Sequence, residues 1–105
     1  VAAQPIPTVI AGINAFTLGA RSVNPDVTVE VLWTLTWYDP AAEKQAAVAL
    51  AESGADVIAQ HQDTPSAVQG AAEAGAWAIG SESDMTAFAP DRVLTGTVWD
   101  WCPFY

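Results

Sequence analysis

Residues 37–65 read WYDPAAEKQAAVALAESGADVIAQHQDTP, and this stretch decides the fold. Asp39 is suited to cap a helix, and Pro40 to occupy its first turn. The alanine-rich run that follows predicts a helix over Pro40–Ser53, with Gly54 placed to end it. ADVIAQ (Ala55–Gln60) then reads as a short buried strand. Thr64–Pro65 repeats the cap-plus-proline start, and a second alanine-rich helix reaches Ala74 with Gly75 after it. Helix, strand and helix joined by such short connections predict a parallel sheet with helices on both faces.

Working outward, Val1–Gln4 reads as the end of a strand. Pro5 and Pro7 open a helix whose apolar residues fall at Val9, Ile13, Phe16 and Ala20, a helical spacing. Asn24–Pro25 breaks it. VTVEVLWT (Val27–Thr34) alternates and is β-branched, hence a strand. Ala76–Gly80 is the next strand, and Arg92–Trp99 the last, after a loop closed by Ala89–Pro90. Right-handed crossovers then favour the strand order 2-1-3-4-5. The expected fold is α/β: a three-layer, doubly wound, flavodoxin-like parallel sheet forming a single domain over residues 1–105. Trp33 and Trp77 lie inside strands and are expected in the core.

Composition narrows the function. Twelve acids against three bases give a net charge of −9 in 105 residues, and Arg21, Lys44 and Arg92 are scattered. A phosphate backbone or an anionic lipid surface finds no basic patch, so nucleic acid is excluded as a partner. No apolar run reaches the roughly 18 residues of a membrane span. The single cysteine, Cys102, permits neither an intrachain disulfide nor a multi-cysteine zinc site. Glycine-rich phosphate loops are absent, and no cofactor is expected. The apolar start at Val1 and the aromatic finish VWDWCPFY are unlike polar domain ends; they are expected of a piece of a longer protein.

In open parallel sheets, ligands bind outside the carboxyl ends of the strands. Gln4 follows the first predicted strand, and Trp37, Tyr38 and Asp39 the second. His61, Gln62 and Asp63 follow the third, and Ser81, Glu82, Ser83 and Asp84 the fourth. Trp99, Asp100 and Trp101 follow the fifth. Aromatic faces beside carboxylates suit a flat, neutral ligand with N–H or O–H donors. Each residue has a plainer reading. Asp39 is a helix cap, Asp63 serves the start of the next helix through Thr64, and His61 is a buried, hydrogen-bonded histidine. His61 with Asp63, Glu82 and Asp84 is the alternative metal set. Phosphoryl-accepting receiver domains share the strand order. They require an acidic pair where this chain has Gln4 and Pro5, and a lysine where it has Trp99.

The stretch GINAFTLGARSVNPDVTVEVLWTLTWYDPAAEKQAAVALAESGADVIAQH, followed by IGSESDMTAFAPDRVLTGTVWDW, resembles the basic membrane protein family. These are substrate-binding lipoproteins of ABC transporters and include purine nucleoside receptors. The resemblance covers nearly the whole chain through NPDV, DP…E…GADVI, IG…SDM…AP and LTGTV. It implies the second lobe of a two-lobed, type I periplasmic binding protein whose cleft closes on a purine base or nucleoside. Glu82 and Asp84 match the two aspartates usual in the family's acidic segment. Many members carry a lysine where this chain has Trp99. The implied ligand-binding set is Trp37, His61, Gln62, Asp63, Glu82, Asp84, Trp99 and Asp100, with Trp101 as a further stacking candidate and no catalytic residue. Implied partners are a purine-like small molecule, the missing N-terminal lobe and an ABC permease. Uncovered apolar surface adds self-association of the lobe. The implied location is the periplasmic or extracellular face of the membrane, held by a lipoprotein anchor. The alternative from another class is a stand-alone flavodoxin-like enzyme or metal-binding domain using His61, Asp63 and Asp84.

Overall fold

The computed structural model describes residues 1–100 and 102–104. Helix α1 spans Pro7–Val23 with a proline in its first turn. Helix α2, Pro40–Glu52, is capped as expected: the Ala42 N–H donates to the Asp39 carboxylate at 3.0 Å. Gly54, at φ +111°, turns the chain out of it, a conformation that glycine alone adopts without strain. Strand β1 (Val57–Ala59), helix α3 (Ser66–Glu73), strand β2 (Trp77–Gly80), a 3₁₀ turn (Thr86–Phe88) and strand β3 (Val93–Gly96) follow. A last 3₁₀ turn spans Cys102–Phe104.

The three strands run parallel in the order β1-β2-β3, with Ile58 opposite Ala78 and Gly80 opposite Gly96. The amino-terminal segment extends this sheet. Ala2 bridges in parallel to Trp33 on one side and to His61 on the other. Its N–H donates to Leu32 O at 3.0 Å, and its carbonyl accepts the Thr34 N–H at 2.9 Å. His61 N–H in turn donates to Val1 O at 2.9 Å. Counting these bridged segments, the spatial order is the expected 2-1-3-4-5. The Val1 nitrogen donates to Ala59 O at 2.7 Å.

Right-handed crossovers place α2 and α3 on one face and α1 on the other. The core lies under α2 and α3. Ala46, Ala47, Leu50, Ile58, Ala67, Val68, Ala71 and Ala78 are buried there together, and Met85 and Ala89 close its far side. Small side chains let the two helices approach closely. A Cβ on Gly70 would lie 2.8 Å from the Lys44 carbonyl oxygen.

Several sequence expectations need correction. Within Val27–Thr34 only Trp33 pairs, through its single bridge. Among the described residues, the rest of this alternating stretch forms no strand. The last strand ends at Gly96, leaving Trp99 beyond it. Trp77 is not core: it is 42% exposed, with the Arg92 guanidinium 5.1 Å above its ring. Of the apolar stripe on α1 only Val9 is buried; Ile13 and Ala20 are partly buried and Phe16 is exposed.

Candidate functional site

The carboxyl ends of the five segments carry the candidate residues, and two groups of contacts organise them. The first joins the loop 34–39 to the loop 61–64. The Trp37 and His61 rings meet edge to face, with centroids 6.1 Å apart and planes at 82°. The Asp63 N–H donates to Trp37 O at 3.2 Å. Trp37 is 39% exposed, His61 is partly buried and Asp63 is exposed. An aromatic face, an imidazole and a carboxylate therefore share one rim.

Beneath that rim lies a buried carboxylate that the sequence reading did not single out. Glu43 is fully buried on the first turn of α2. Its Oε1 accepts the Asp39 N–H at 3.0 Å, and its Oε2 accepts the Thr64 hydroxyl. Thr64 Oγ1 also accepts the Ser66 N–H at 3.2 Å. Thr64, not Asp63, thus serves the start of α3, and the Asp63 carboxylate faces solvent. The signal was present in the sequence: an acid one turn after a capping Asp is a variant of the capping box. Gln62 also turns inward and is fully buried.

The second group joins the loop 81–84 to the end of β3. The Thr97 N–H donates to Gly80 O, and the Trp99 N–H to Glu82 O, both at 3.3 Å. Glu82 is partly buried and sits at φ +69°, in the left-handed region. Non-glycine residues there are uncommon and cluster at ligand sites. Asp84 Oδ1 accepts the Thr86 hydroxyl at 2.6 Å and its N–H at 2.9 Å. These two bonds, the hydroxyl first, hold the Asp84 pKa below the ordinary carboxylate value. Its remaining oxygen suits a ligand N–H. Trp99 is exposed beside this loop, and Asp100 Oδ1 accepts the Cys102 N–H at 2.9 Å. Trp101 lies outside the described residues.

The sheet places the two groups on adjacent strands, since Ala59 pairs with Ile79 and Gly80 with Gly96. Among the described residues, no three His, Cys, Asp or Glu side chains converge to hold a metal ion. The metal alternative at His61, Asp63 and Asp84 therefore has no ligand set. Among the same residues, no helix is long and apolar enough to cross a membrane.

Aromatic and acidic side chains thus line the carboxyl edge of the parallel sheet, the edge at which open parallel sheets bind their ligands. The affiliation of the chain is specific: residues 1–105 match the family model described as ABC transporter substrate-binding protein PnrA-like, and the chain belongs to that family. This is a family of substrate-binding proteins and not an enzyme class. A Haloferax volcanii protein, provisionally named an ABC transporter glucose-binding protein, is 50% identical over 105 residues, covering 100% of this chain and 27% of its own length. A purine-binding protein of Brucella abortus is 50% identical over 101 residues, covering 96% of this chain and 29% of its own length. More distantly, a metabotropic glutamate receptor-like protein of Dictyostelium discoideum is 33% identical over 77% of this chain, which is 10% of that protein. The chain thus spans under a third of the length of the curated relatives it matches.

Proposed function

We propose that this chain is one lobe of the solute-binding component of an ABC importer, and that the lobe holds a purine base or nucleoside against a second lobe. The observation that carries the reading is the Trp37–His61–Asp63 rim, with a half-exposed indole beside an imidazole and an exposed carboxylate. A purine ring stacks on Trp37, with Trp99 as the further aromatic. Asp84 and Glu82 accept from an exocyclic amine, a ring N–H or a ribose hydroxyl. His61 lines the cleft, and Asp100 lies at its far end. The net charge of −9 disfavours anionic ligands such as nucleotides. Contacts from both lobes select the closed form, and a membrane permease receives it. This places the protein on the extracellular or periplasmic side, held in the full-length protein by a lipid anchor. Without its second lobe the chain keeps apolar surface at Ile10, Phe16 and Leu94 exposed, which favours self-association.

A sugar is the second reading. The glucose-binding relative is as similar as the purine-binding one, and aromatic faces with carboxylates also suit sugar hydroxyls. Calorimetry of the full-length protein with adenine, guanosine and glucose separates the two. Binding of a purine and not of glucose supports the proposal; the reverse order overturns it.

A further inference from the structure

The loop that carries Trp37 contains a feature that packing does not explain. Leu35 has φ +60°, a left-handed conformation that is costly for a branched side chain. Its side chain is 65% exposed, so the kink buries nothing. What the kink changes is the direction of the chain two residues before Trp37.

Side chains from both flanking segments hold that kink. Gln4, at the end of the amino-terminal segment, donates through Nε2 to Leu35 O at 2.6 Å. Gln62, at the end of the segment carrying His61, has one amide orientation that satisfies all its neighbours. In it Nε2 donates to Thr36 O at 3.0 Å and Trp37 O at 3.3 Å, while Oε1 accepts the Ala3 N–H at 3.3 Å and the Thr34 hydroxyl at 2.6 Å. Three successive carbonyls, those of Leu35, Thr36 and Trp37, are therefore held by two glutamine amides. The backbone of Asp63 adds a second donor to the Trp37 carbonyl. A fully buried amide with four partners is a costly group to strip of its bonds, and here every bond converges on the segments that meet at the loop.

We propose that Gln4 and Gln62 are positioning residues for Trp37: their amides lock the left-handed kink at Leu35 and thereby set the attitude of the indole against His61 at the rim. The inference deepens the stacking role proposed for Trp37 and rests on that reading for its effect on affinity. Its structural half is independent of any ligand.

The test uses the full-length protein carrying this chain, labelled with 5-fluorotryptophan. The Trp37 fluorine line is assigned by loss in Trp37→Phe. In the ligand-free protein, Gln62→Met and Gln4→Ala are each expected to shift or broaden the Trp37 line while the Trp33 and Trp77 lines stay in place. With adenine as probe, Gln62→Met is expected to weaken binding roughly tenfold, because the Thr36 and Trp37 carbonyls lose the amide that orients the loop. In a Trp37→Ala background it should weaken binding no further. A Trp37 line unmoved in both variants overturns the proposal, as does a full loss of affinity from Gln62→Met without Trp37. Should Gln62→Met fail to fold, Gln4→Ala decides, since Gln4 is only partly buried. Should adenine not bind the parent protein, the purine reading fails while the fluorine lines still decide the positioning.

Discussion

Removing the Glu43 carboxylate should release the two loops of the rim from each other. Glu43→Ala leaves two donors without an acceptor: the partly buried Asp39 N–H and the buried Thr64 hydroxyl. Each unsatisfied buried donor costs about 1–3 kcal/mol, and the variant recovers part of that by no longer burying a carboxylate. A net local loss of about 2 kcal/mol follows, which is roughly a thirtyfold change in the opening equilibrium. Native-state hydrogen exchange in the full-length protein reads it directly. Peptides covering Tyr38–Lys44 and His61–Val68 should exchange roughly thirtyfold faster, while one covering Trp77–Gly80 should be little changed. Lys44→Ala is the control. It removes the 2.7 Å ion pair with Glu73, which is exposed on both sides, and exposed pairs contribute about 1 kcal/mol or less. Equal exchange in Glu43→Ala and Lys44→Ala would refute the claim that a buried carboxylate ties the loops together. Glu43→Gln keeps an acceptor for the Asp39 N–H and should fall between the two.

On the proposed purine reading, Trp37→Ala should weaken adenine binding at least about tenfold with little change in melting temperature, because an indole 39% exposed contributes more to the rim than to the core; calorimetry and thermal melts read the two effects separately. Gly70→Ala drives a methyl group against the Lys44 carbonyl oxygen and should cost about 1–3 kcal/mol in urea unfolding by forcing α2 and α3 apart. The Asp84 pKa is lowered in the folded protein. The bonds from Thr86 therefore contribute fully above the ordinary carboxylate pKa and are lost as pH falls through the lower folded value. Amide shifts of Thr86 followed by NMR on acidification should show a midpoint below the usual aspartate range, and a midpoint at or above it would contradict the bonding.

How much of the site was legible depended on distance along the chain. The Asp39 cap was readable because the capped N–H lies three residues away, at Ala42. The positions of His61 and Glu82 just past strands followed from where the strand patterns stop, whereas Trp99 lies beyond a strand that ends earlier than its pattern, at Gly96. The role of Glu43 was only half legible. Its bond to Asp39 is local, but its bond to Thr64 spans 21 residues and arises only once α2 lies beside the following loop. Nothing in the sequence marks Leu35 or Glu82 as left-handed, because neither is glycine, asparagine or aspartate, the residues that signal that conformation.

The sequence by itself determined the alternation of helix and strand, the parallel sheet and the strand order, since those follow from periodicity, caps and the handedness of crossovers. Its acidity alone disfavoured anionic partners, a matter of net charge and not of geometry. Tertiary structure decided the rest. Among the described residues it joined the Val27–Thr34 stretch to the sheet only through Trp33, and it put Trp77 at the surface under Arg92. It also turned Gln62 from a rim candidate into a buried brace. Those outcomes depend on which segments meet across the fold, and local propensity cannot encode a partner that lies tens of residues away.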